Sequence, residues 1–333
     1  DVTVNNALTV DGDSTVTSEN GDLTFASTID DDAAGTNSLN AFADSGTVNF
    51  DGIVGAIALD SLVVTANTAN VAGNISATAG VSFAGTEQIN LDAADVVINA
   101  GGAIFFATDS IVSSDITDNN AGDFDLTLIA GTDITINDAV VDGFDASDAG
   151  ADTINLFGTI SAQAAIDLGG NTVFLGDDAA LHNDEPGGGD ITATGPIDGE
   201  HEFTLSSGGT VELGAIGATE QPTELRIDNS ANTVLDFDTS VDGDIVILAT
   251  AGVAAAIDVL GTMTSDNGSI NLNAGGAGSG IELNGTVSAD GDVTLNGDDI
   301  VLIAAVAANP DINSNTGNIG LHGNFTAVDV DVE

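Results

Sequence analysis

The chain has almost no positive charge. Its 333 residues include one basic side chain, Arg226, and no lysine, against 53 acidic residues, and the formal net charge is −52. Nucleic acid is therefore excluded as a partner, because nothing could neutralise the phosphates. Anionic membrane surfaces are excluded for the same reason. No apolar run approaches the roughly 18 residues that a membrane-spanning helix needs, so membrane insertion is not expected.

Cysteine, tryptophan and tyrosine are also absent. Without cysteine, no disulfide framework stabilises the fold. Acidity this strong would indicate disorder in a polar chain, but apolar residues make up 42% of this one and the mean hydropathy is +0.24. These apolar residues are small, with 13 phenylalanines as the only aromatics. Such a composition fits the thin core of a narrow coil better than the broad core of a globular domain.

One short phrase recurs along the chain: a glycine, a small polar residue, then two apolar residues separated by one position. Several neighbouring copies lie roughly 20–26 residues apart, which is the period of a repeat array. The alternation is typical of β-strands with one buried face. The copies occupy residues 21–25, 46–50, 122–126, 189–193, 209–213, 243–247, 268–272, 291–295 and 317–321.

These features predict an all-β protein, a parallel β-helix (β-solenoid) with two or three short strands of about three to six residues in each coil. At about 23 residues per coil the chain gives roughly 14 coils. We expect one solenoid over residues 1–333, with a weak hinge near 183–200, where Pro186 precedes three glycines. Glycine, Asn and Asp between the strands are expected to turn the corners by adopting positive φ. Asparagines on equivalent coils are expected to stack into amide ladders.

The acidic surface predicts an environment rich in cations. Carboxylates on adjacent coils, about 4.8 Å apart, are poorly screened at physiological salt and much better screened in brine. We therefore expect a marine or halophilic source, bound divalent cations, or both. Calcium is the candidate ion, because it binds clustered hard oxygens; the alternative is diffuse condensation of cations. The candidate ligands are clustered aspartates at turns: Asp11, Asp13, Asp30, Asp31, Asp32, Asp177, Asp178, Asp298 and Asp299.

Within the last eight residues, valine alternates with acidic residues from position 328 to the end. Val328, Val330 and Val332 would share one face. The simpler interpretation is the last strand of the solenoid. The alternative is a strand lent to a neighbouring subunit, since open solenoid ends expose unpaired backbone groups.

Catalysis is not expected. Motifs that partly match those of pectin hydrolases, at residues 176–178, 315–317 and 321–323, stand in the wrong order and lack the basic motif. His182, His201 and His322 are isolated in sequence, and Arg226 is expected to pair with nearby acids. The sequence therefore predicts neither an enzyme nor an organic cofactor.

Residues 268–276 and 280–295 resemble the coils of filamentous-haemagglutinin-type surface proteins, and the resemblance is strongest over residues 240–325. Those large secreted bacterial proteins form right-handed parallel β-helices and act in adhesion and biofilms. The resemblance implies a right-handed solenoid and an extracellular, cell-surface location.

Together these observations predict an extracellular structural protein, a self-assembling subunit of a cell-surface filament, sheath or layer. Its expected partners are further copies of itself, through end-to-end or strand-exchange contacts, and divalent cations. The alternative function is a stalk or ligand-binding segment of a large secreted adhesin.

Overall fold

The computed structural model describes residues 1–91, 95–106, 111–113, 124–147, 153–183, 189–251, 254–303 and 311–328. These residues form β-strands joined by turns, with no helix among them. The described strands pair in parallel and stack as a β-solenoid of about 12 turns, which confirms the predicted fold class. The turns number about 12, against the roughly 14 coils predicted from the sequence, and the right-handed twist stays a prediction. A search of the described residues found no helix capable of crossing a membrane.

The chain divides into two units, and the first comprises Asp1–Ala162. Each of its rungs carries three strands, as the pairs β1–β4, β2–β5 and β3–β6 show for the first two rungs. Its strands are β1 Val2–Val4, β2 Leu8–Val10, β3 Ser14–Thr17, β4 Leu23–Phe25, β5 Ile29–Asp31, β6 Leu39–Phe50, β7 Val54–Val71, β8 Ile75–Phe83, β9 Gln88–Leu91, β10 Val96–Ala100, β11 Ile104–Phe106, β12 Ile111–Ser113, β13 Leu126–Ala130, β14 Ile134–Ile136, β15 Ala139–Val141, β16 Phe144–Asp145, β17 Thr153–Leu156 and β18 Thr159–Ala162.

The second unit comprises Gln163–Glu333 and repeats the three-strand rung. Its strands are β19 Ile166–Gly169, β20 Thr172–Leu175, β21 Ala179–Asn183, β22 Ile191–Ala193, β23 Ile197–Asp198, β24 Glu202–Ser207, β25 Thr210–Leu213, β26 Glu224–Asp228, β27 Asn232–Leu235, β28 Thr239–Val241, β29 Ile245–Ala249, β30 Ala256–Val259, β31 Met263–Ser265, β32 Ile270–Ala274, β33 Gly280–Leu283, β34 Val287–Ala289, β35 Val293–Ile303, β36 Ile312–Ser314 and β37 Ile319–Val328. The single solenoid and its hinge near 183–200 stay predictions, and residues 184–188 lie outside the described residues.

The core of each unit is a set of apolar columns, one side chain per rung. In the second unit Ile227, Ile247, Leu272 and Leu295 occupy successive rungs of one column, and all four are fully buried. Full burial of each such side chain is worth about 1.5–3 kcal/mol. The alternating sequence pattern thus places every second residue in a continuous interior.

The first unit has apolar columns of its own, and two pairs of stacked phenylalanines belong to them. The rings of Phe25 and Phe50 stack with centroids 5.5 Å apart and planes 3° from parallel. Phe83 and Phe106 stack in the same way, at 5.5 Å and 17°. Ring stacking of this kind adds about 0.5–1.5 kcal/mol to the burial of each pair.

The glycine of the recurrent phrase lies where adjacent rungs approach most closely. A Cβ atom on Gly268 would overlap the backbone of Gly243 and Asp244 one rung below, and one on Gly46 would overlap Gly21. Within the described residues, no phrase glycine is among those with positive φ. The expectation that these glycines turn corners through positive φ is therefore wrong: they are required because the neighbouring rung occupies the space of a side chain.

An amide ladder forms on the outside of the first unit, as predicted. Asn70 Nδ2 donates to Asn49 Oδ1 at 2.7 Å, and Asn90 Nδ2 donates to Asn70 Oδ1 at 2.8 Å. Asn49 Nδ2 extends the series to Thr24 Oγ1 at 3.2 Å. Four successive rungs are thereby joined by side-chain hydrogen bonds in addition to the backbone ladder.

Several strands are longer than the expected three to six residues. β6 has 12 residues and β7 has 18. The two strands pair through a register shift between Ala43 and Thr47. Because such an irregularity bends a strand, one long strand turns a corner of the solenoid: residues 39–42 of β6 pair with β3, and residues 48–50 pair with β4.

Candidate functional site

Four carboxylates line one corner of the second unit on successive rungs. Glu202 is the register partner of Glu224. The pairing of β21 with β24 places Asp178 one rung before Glu202, and that of β26 with β29 places Asp244 one rung after Glu224. We call Asp178, Glu202, Glu224 and Asp244 the acidic column; rungs in a sheet lie about 4.8 Å apart.

Aspartates at the start of strands hold the rungs together. Asp178 Oδ1 accepts the Glu202 N–H at 3.0 Å, and Asp244 Oδ1 accepts the Ser269 N–H at 2.7 Å. In the first unit Asp22 Oδ1 accepts the Thr47 N–H at 2.9 Å. The polar residue of the Gly-polar phrase is therefore a side-chain acceptor for the next rung, and such charge-assisted bonds are stronger than neutral ones.

Like charges in the acidic column disfavour full ionisation. The pKa of Glu224 is raised by burial and by the neighbouring Glu202 and Asp244 carboxylates. Elsewhere in this unit the pKa of Asp258 is raised by burial and by Glu282. The second unit thus carries stacked carboxylates whose repulsion cations would relieve.

The only basic side chain lies beside the acidic column. Arg226 Nε donates to Asp228 Oδ2 at 2.7 Å, which confirms the expected pairing with a nearby acid. The pKa of Arg226 is raised mainly by this hydrogen bond and further by the negative charges of Asp228 and Glu224. One guanidinium offsets only part of the charge of the surrounding carboxylates.

At one end of the acidic column, a histidine joins two of the predicted cation ligands. His201 Nδ1 lies 3.9 Å from Asp177 Oδ1 and 3.8 Å from Asp178 Oδ1. One ligand atom from each residue lies within 4.8 Å of the others, and no other group of three or more such residues occurs in the described part of the chain. Two carboxylates and an imidazole form a donor set that suits zinc, nickel or copper better than calcium.

The sequence did not reveal His201 as part of this group. Its separation from Asp177 and Asp178 equals one rung, so only the stacking register brings the three together. A shallow pocket of about 530 Å3 is lined by residues between 200 and 242, among them the carboxylates of Glu200, Glu220 and Asp242. The rung period itself is the signal that could have identified this convergence.

Most other predicted cation ligands bond to the protein itself. Asp13 accepts the Ser38 N–H at 2.9 Å and Asp30 accepts the Ile57 N–H at 3.0 Å. Asp298 accepts the Gly278 N–H, Asp299 accepts from Asn324, and Asp32 accepts from Asn37. Within the described residues, none of these aspartates, nor the exposed Asp11, belongs to a group of three ligands. Calcium binding at Asp11, Asp13, Asp30, Asp31, Asp32, Asp298 and Asp299 stays a prediction.

Asp31 is fully buried and organises the turn that follows it. Its Oδ2 accepts the N–H groups of Thr36 at 2.8 Å and Asn37 at 3.0 Å, and its Oδ1 accepts Asn37 Nδ2 at 2.7 Å. Burial alone would raise the pKa of Asp31, but hydrogen bonds from Asn37 and Thr36 hold it far below the ordinary value of 3.8. The carboxylate therefore holds the turn at residues 31–37 together by accepting hydrogen bonds from its backbone and side-chain N–H groups.

Acidification is expected to release this turn. Because the folded pKa of Asp31 is depressed, its contribution to stability is complete above pH 3.8 and is lost as the pH falls towards the folded pKa. NMR amide shifts of Thr36 and Asn37 should stay native at pH 4 and change only well below it. In Asp31→Ala they should be displaced at every pH, whereas Asp11→Ala, at an exposed aspartate, should leave them unchanged. A native turn in Asp31→Ala would contradict this role.

The predicted assembly residues lie at the last rung. The backbone of Val328 pairs with Ile303, while Val330 and Val332 lie outside the described residues. In this rung Ile319, Leu321 and Phe325 continue the inward columns of Val293, Leu295 and Ile300. They are nevertheless 47%, 39% and 45% exposed.

No family model, no curated protein and no solved structure matches this chain. The resemblance to filamentous-haemagglutinin-type proteins and the expected absence of catalysis therefore stay predictions.

Proposed function

We propose that this protein is an extracellular structural protein whose solenoid subunits join end to end in a cell-surface filament, sheath or layer. The observation that carries the proposal is the stack of parallel rungs itself, in which each rung presents a strand edge and a set of apolar columns to the next rung. Strand β37 pairs with β35 on one side, and no other described strand pairs with its second edge. An uncovered parallel edge is a template for another chain.

The exposed side chains of this rung are apolar and already aligned. Ile319, Leu321 and Phe325 stand in register over fully buried columns. Covering them with one more rung would bury apolar surface and pair backbone groups at once. A second copy of this chain is the occupant that the proposal names.

The rung of β1 and β2 is also apolar and only partly covered. Val2, Val4 and Leu8 lie in register with Leu23, Phe25 and Ile29, yet they are only half-buried. β1 pairs with β4, and no other described strand covers it. Both rungs therefore present apolar side chains beside a strand edge that no other described strand occupies.

The acidic column supports a role for cations in assembly. Joining subunits that each carry a formal charge of −52 requires counter-ions. Divalent ions at Asp177, Asp178 and His201, or condensed along the column, would lower that repulsion. High salt or a divalent ion is therefore expected to promote association.

The test is the concentration at which the full chain assembles, measured by analytical ultracentrifugation and electron microscopy, with a divalent ion and after chelation. Leu321→Asn together with Phe325→Asn should raise that concentration by about 100-fold or more, because two apolar contacts are lost. Phe237→Asn is the matched control, since Phe237 is 57% exposed but belongs to another rung. Single subunits at all concentrations, with and without divalent ions, would reject the proposal and favour the adhesin stalk.

A further inference from the structure

A polar groove lies on the second unit and is lined by residues between 273 and 323. It measures about 520 Å3, and its polar lining consists of Asn273, Ser279, Asn296, Asp298 and His322. The rest of its wall is glycine and alanine: Ala274, Gly275, Gly276, Gly297 and Gly323. The groove therefore has no large side chain in its lining, and a few polar side chains are available to contact a ligand.

Three of the polar groups form one outer column. Asn273, Asn296 and His322 occupy equivalent positions on successive rungs of β32, β35 and β37. Asn296 Nδ2 donates to Asn273 Oδ1 at 3.0 Å, which fixes the orientation of both amides. The His322 ring lies over Gly320, where the missing side chain leaves room for it. The column presents donors and acceptors at the spacing of the rungs.

The opposite wall is held rigidly by Asp298. Its Oδ2 accepts the Gly278 N–H at 2.6 Å, and its own N–H donates to Ser279 Oγ at 3.2 Å. The loop that it anchors carries two glycines with positive φ, Gly276 at 96° and Gly278 at 83°. Because larger residues rarely adopt this backbone conformation, the loop is built without side chains that would fill the groove.

The lining selects a class of ligand. Anions are repelled by a chain of net charge −52, and no apolar ring or chain lines the groove to hold a hydrophobic compound. Amides, a hydroxyl, an imidazole and a carboxylate together offer both hydrogen-bond donors and acceptors. The hydroxyl groups of a ligand can pair with both, because each hydroxyl group can donate or accept a hydrogen bond. We propose that this groove binds a neutral, hydroxyl-rich chain, a saccharide, with successive sugar units lying along Asn273, Asn296 and His322.

This inference does not rest on self-assembly, because the groove is formed within one unit. The test uses NMR of the isotope-labelled full chain, titrated with neutral tetrasaccharides of glucose, mannose and N-acetylglucosamine. At least one should shift the side-chain amides of Asn273 and Asn296 and the backbone amides of Gly275 and Gly276. Hydrogen bonds to a few polar groups without an aromatic platform predict a dissociation constant of about a millimolar.

Matched variants locate the binding. Asn296→Ala should weaken the affinity by about tenfold, as expected for the loss of one or two good hydrogen bonds. Asn70→Ala removes an asparagine from the ladder of the first unit, which does not line this groove, and should leave the affinity unchanged. A native spectrum outside the groove shows that each variant is folded.

Three results would overturn the proposal. One is the absence of shifts with every tetrasaccharide, and another is equal binding by Asn296→Ala. The third is saturation of the same shifts by a divalent cation alone with no response to sugar, which would make the groove a cation site.

Discussion

Replacing Gly268 with valine is expected to lower the free energy of unfolding by about 3 kcal/mol or more. The side chain would overlap the backbone of Gly243 and Asp244, which cannot move aside as a flexible side chain can. The overlap would also separate the Asp244 carboxylate from the Ser269 N–H that it accepts at 2.7 Å. Urea unfolding followed by circular dichroism measures the loss.

Gly280→Val is the matched control for this prediction. Gly280 lies in β33, where an added Cβ would meet its nearest atom, Asp299 O, at 3.9 Å. Valine suits an unstrained strand position, so this variant should be as stable as the parent or slightly more stable. Equal stability of the two variants would show that rung contact does not explain the glycine of the phrase.

Raising the salt concentration from 0.01 M to 1 M is expected to stabilise the second unit substantially. Unit charges 4.8 Å apart repel by about 0.9 kcal/mol in water, and the acidic column contains three adjacent pairs. The screening length falls from about 30 Å to about 3 Å over this range. The column alone should therefore contribute roughly 2–3 kcal/mol to the salt dependence of unfolding, measured by thermal denaturation at each salt concentration.

Two glutamates test whether the column causes this effect. Glu202→Gln together with Glu224→Gln removes a charge from each of the three adjacent pairs and should flatten the salt dependence, with a higher unfolding temperature at low salt. Asp11→Asn together with Glu19→Gln changes the net charge equally at exposed positions of the first unit. If both double variants behave alike, net charge and not the column is responsible.

Much of the architecture follows from local sequence. Alternation fixes which residues face the core, so columns such as Ile247, Leu272 and Leu295 follow once the period is known. The amide ladder through Asn49, Asn70 and Asn90 also follows from the period. The sequence locates the glycine of the phrase correctly, but the positive-φ explanation is wrong. The real cause is the close approach of the adjacent rung, which depends on stacking between rungs that are distant in sequence.

The candidate site was only partly predictable for the same reason. Asp177 and Asp178 stand out as adjacent acids, whereas His201 joins them only through the register of β21 and β24. Asp31 stays a predicted cation ligand, but the sequence does not show that the turn after it supplies three hydrogen-bond donors to its oxygens. Sequence identifies a carboxylate but not the competing donors that folding brings to it.

Because the phrase and its hydrogen bond to the preceding rung recur along the chain, whole rungs can be gained or lost at copies of the phrase. Removing residues 244–268 would place Ser269 directly after Gly243, which recreates the phrase as Gly-Ser-Ile-Asn-Leu. The partners of the lost rung, Leu225 and Ile270, would then face each other as one aliphatic pair. Unequal recombination between copies of the phrase can therefore lengthen or shorten the protein by whole rungs without designing a new junction.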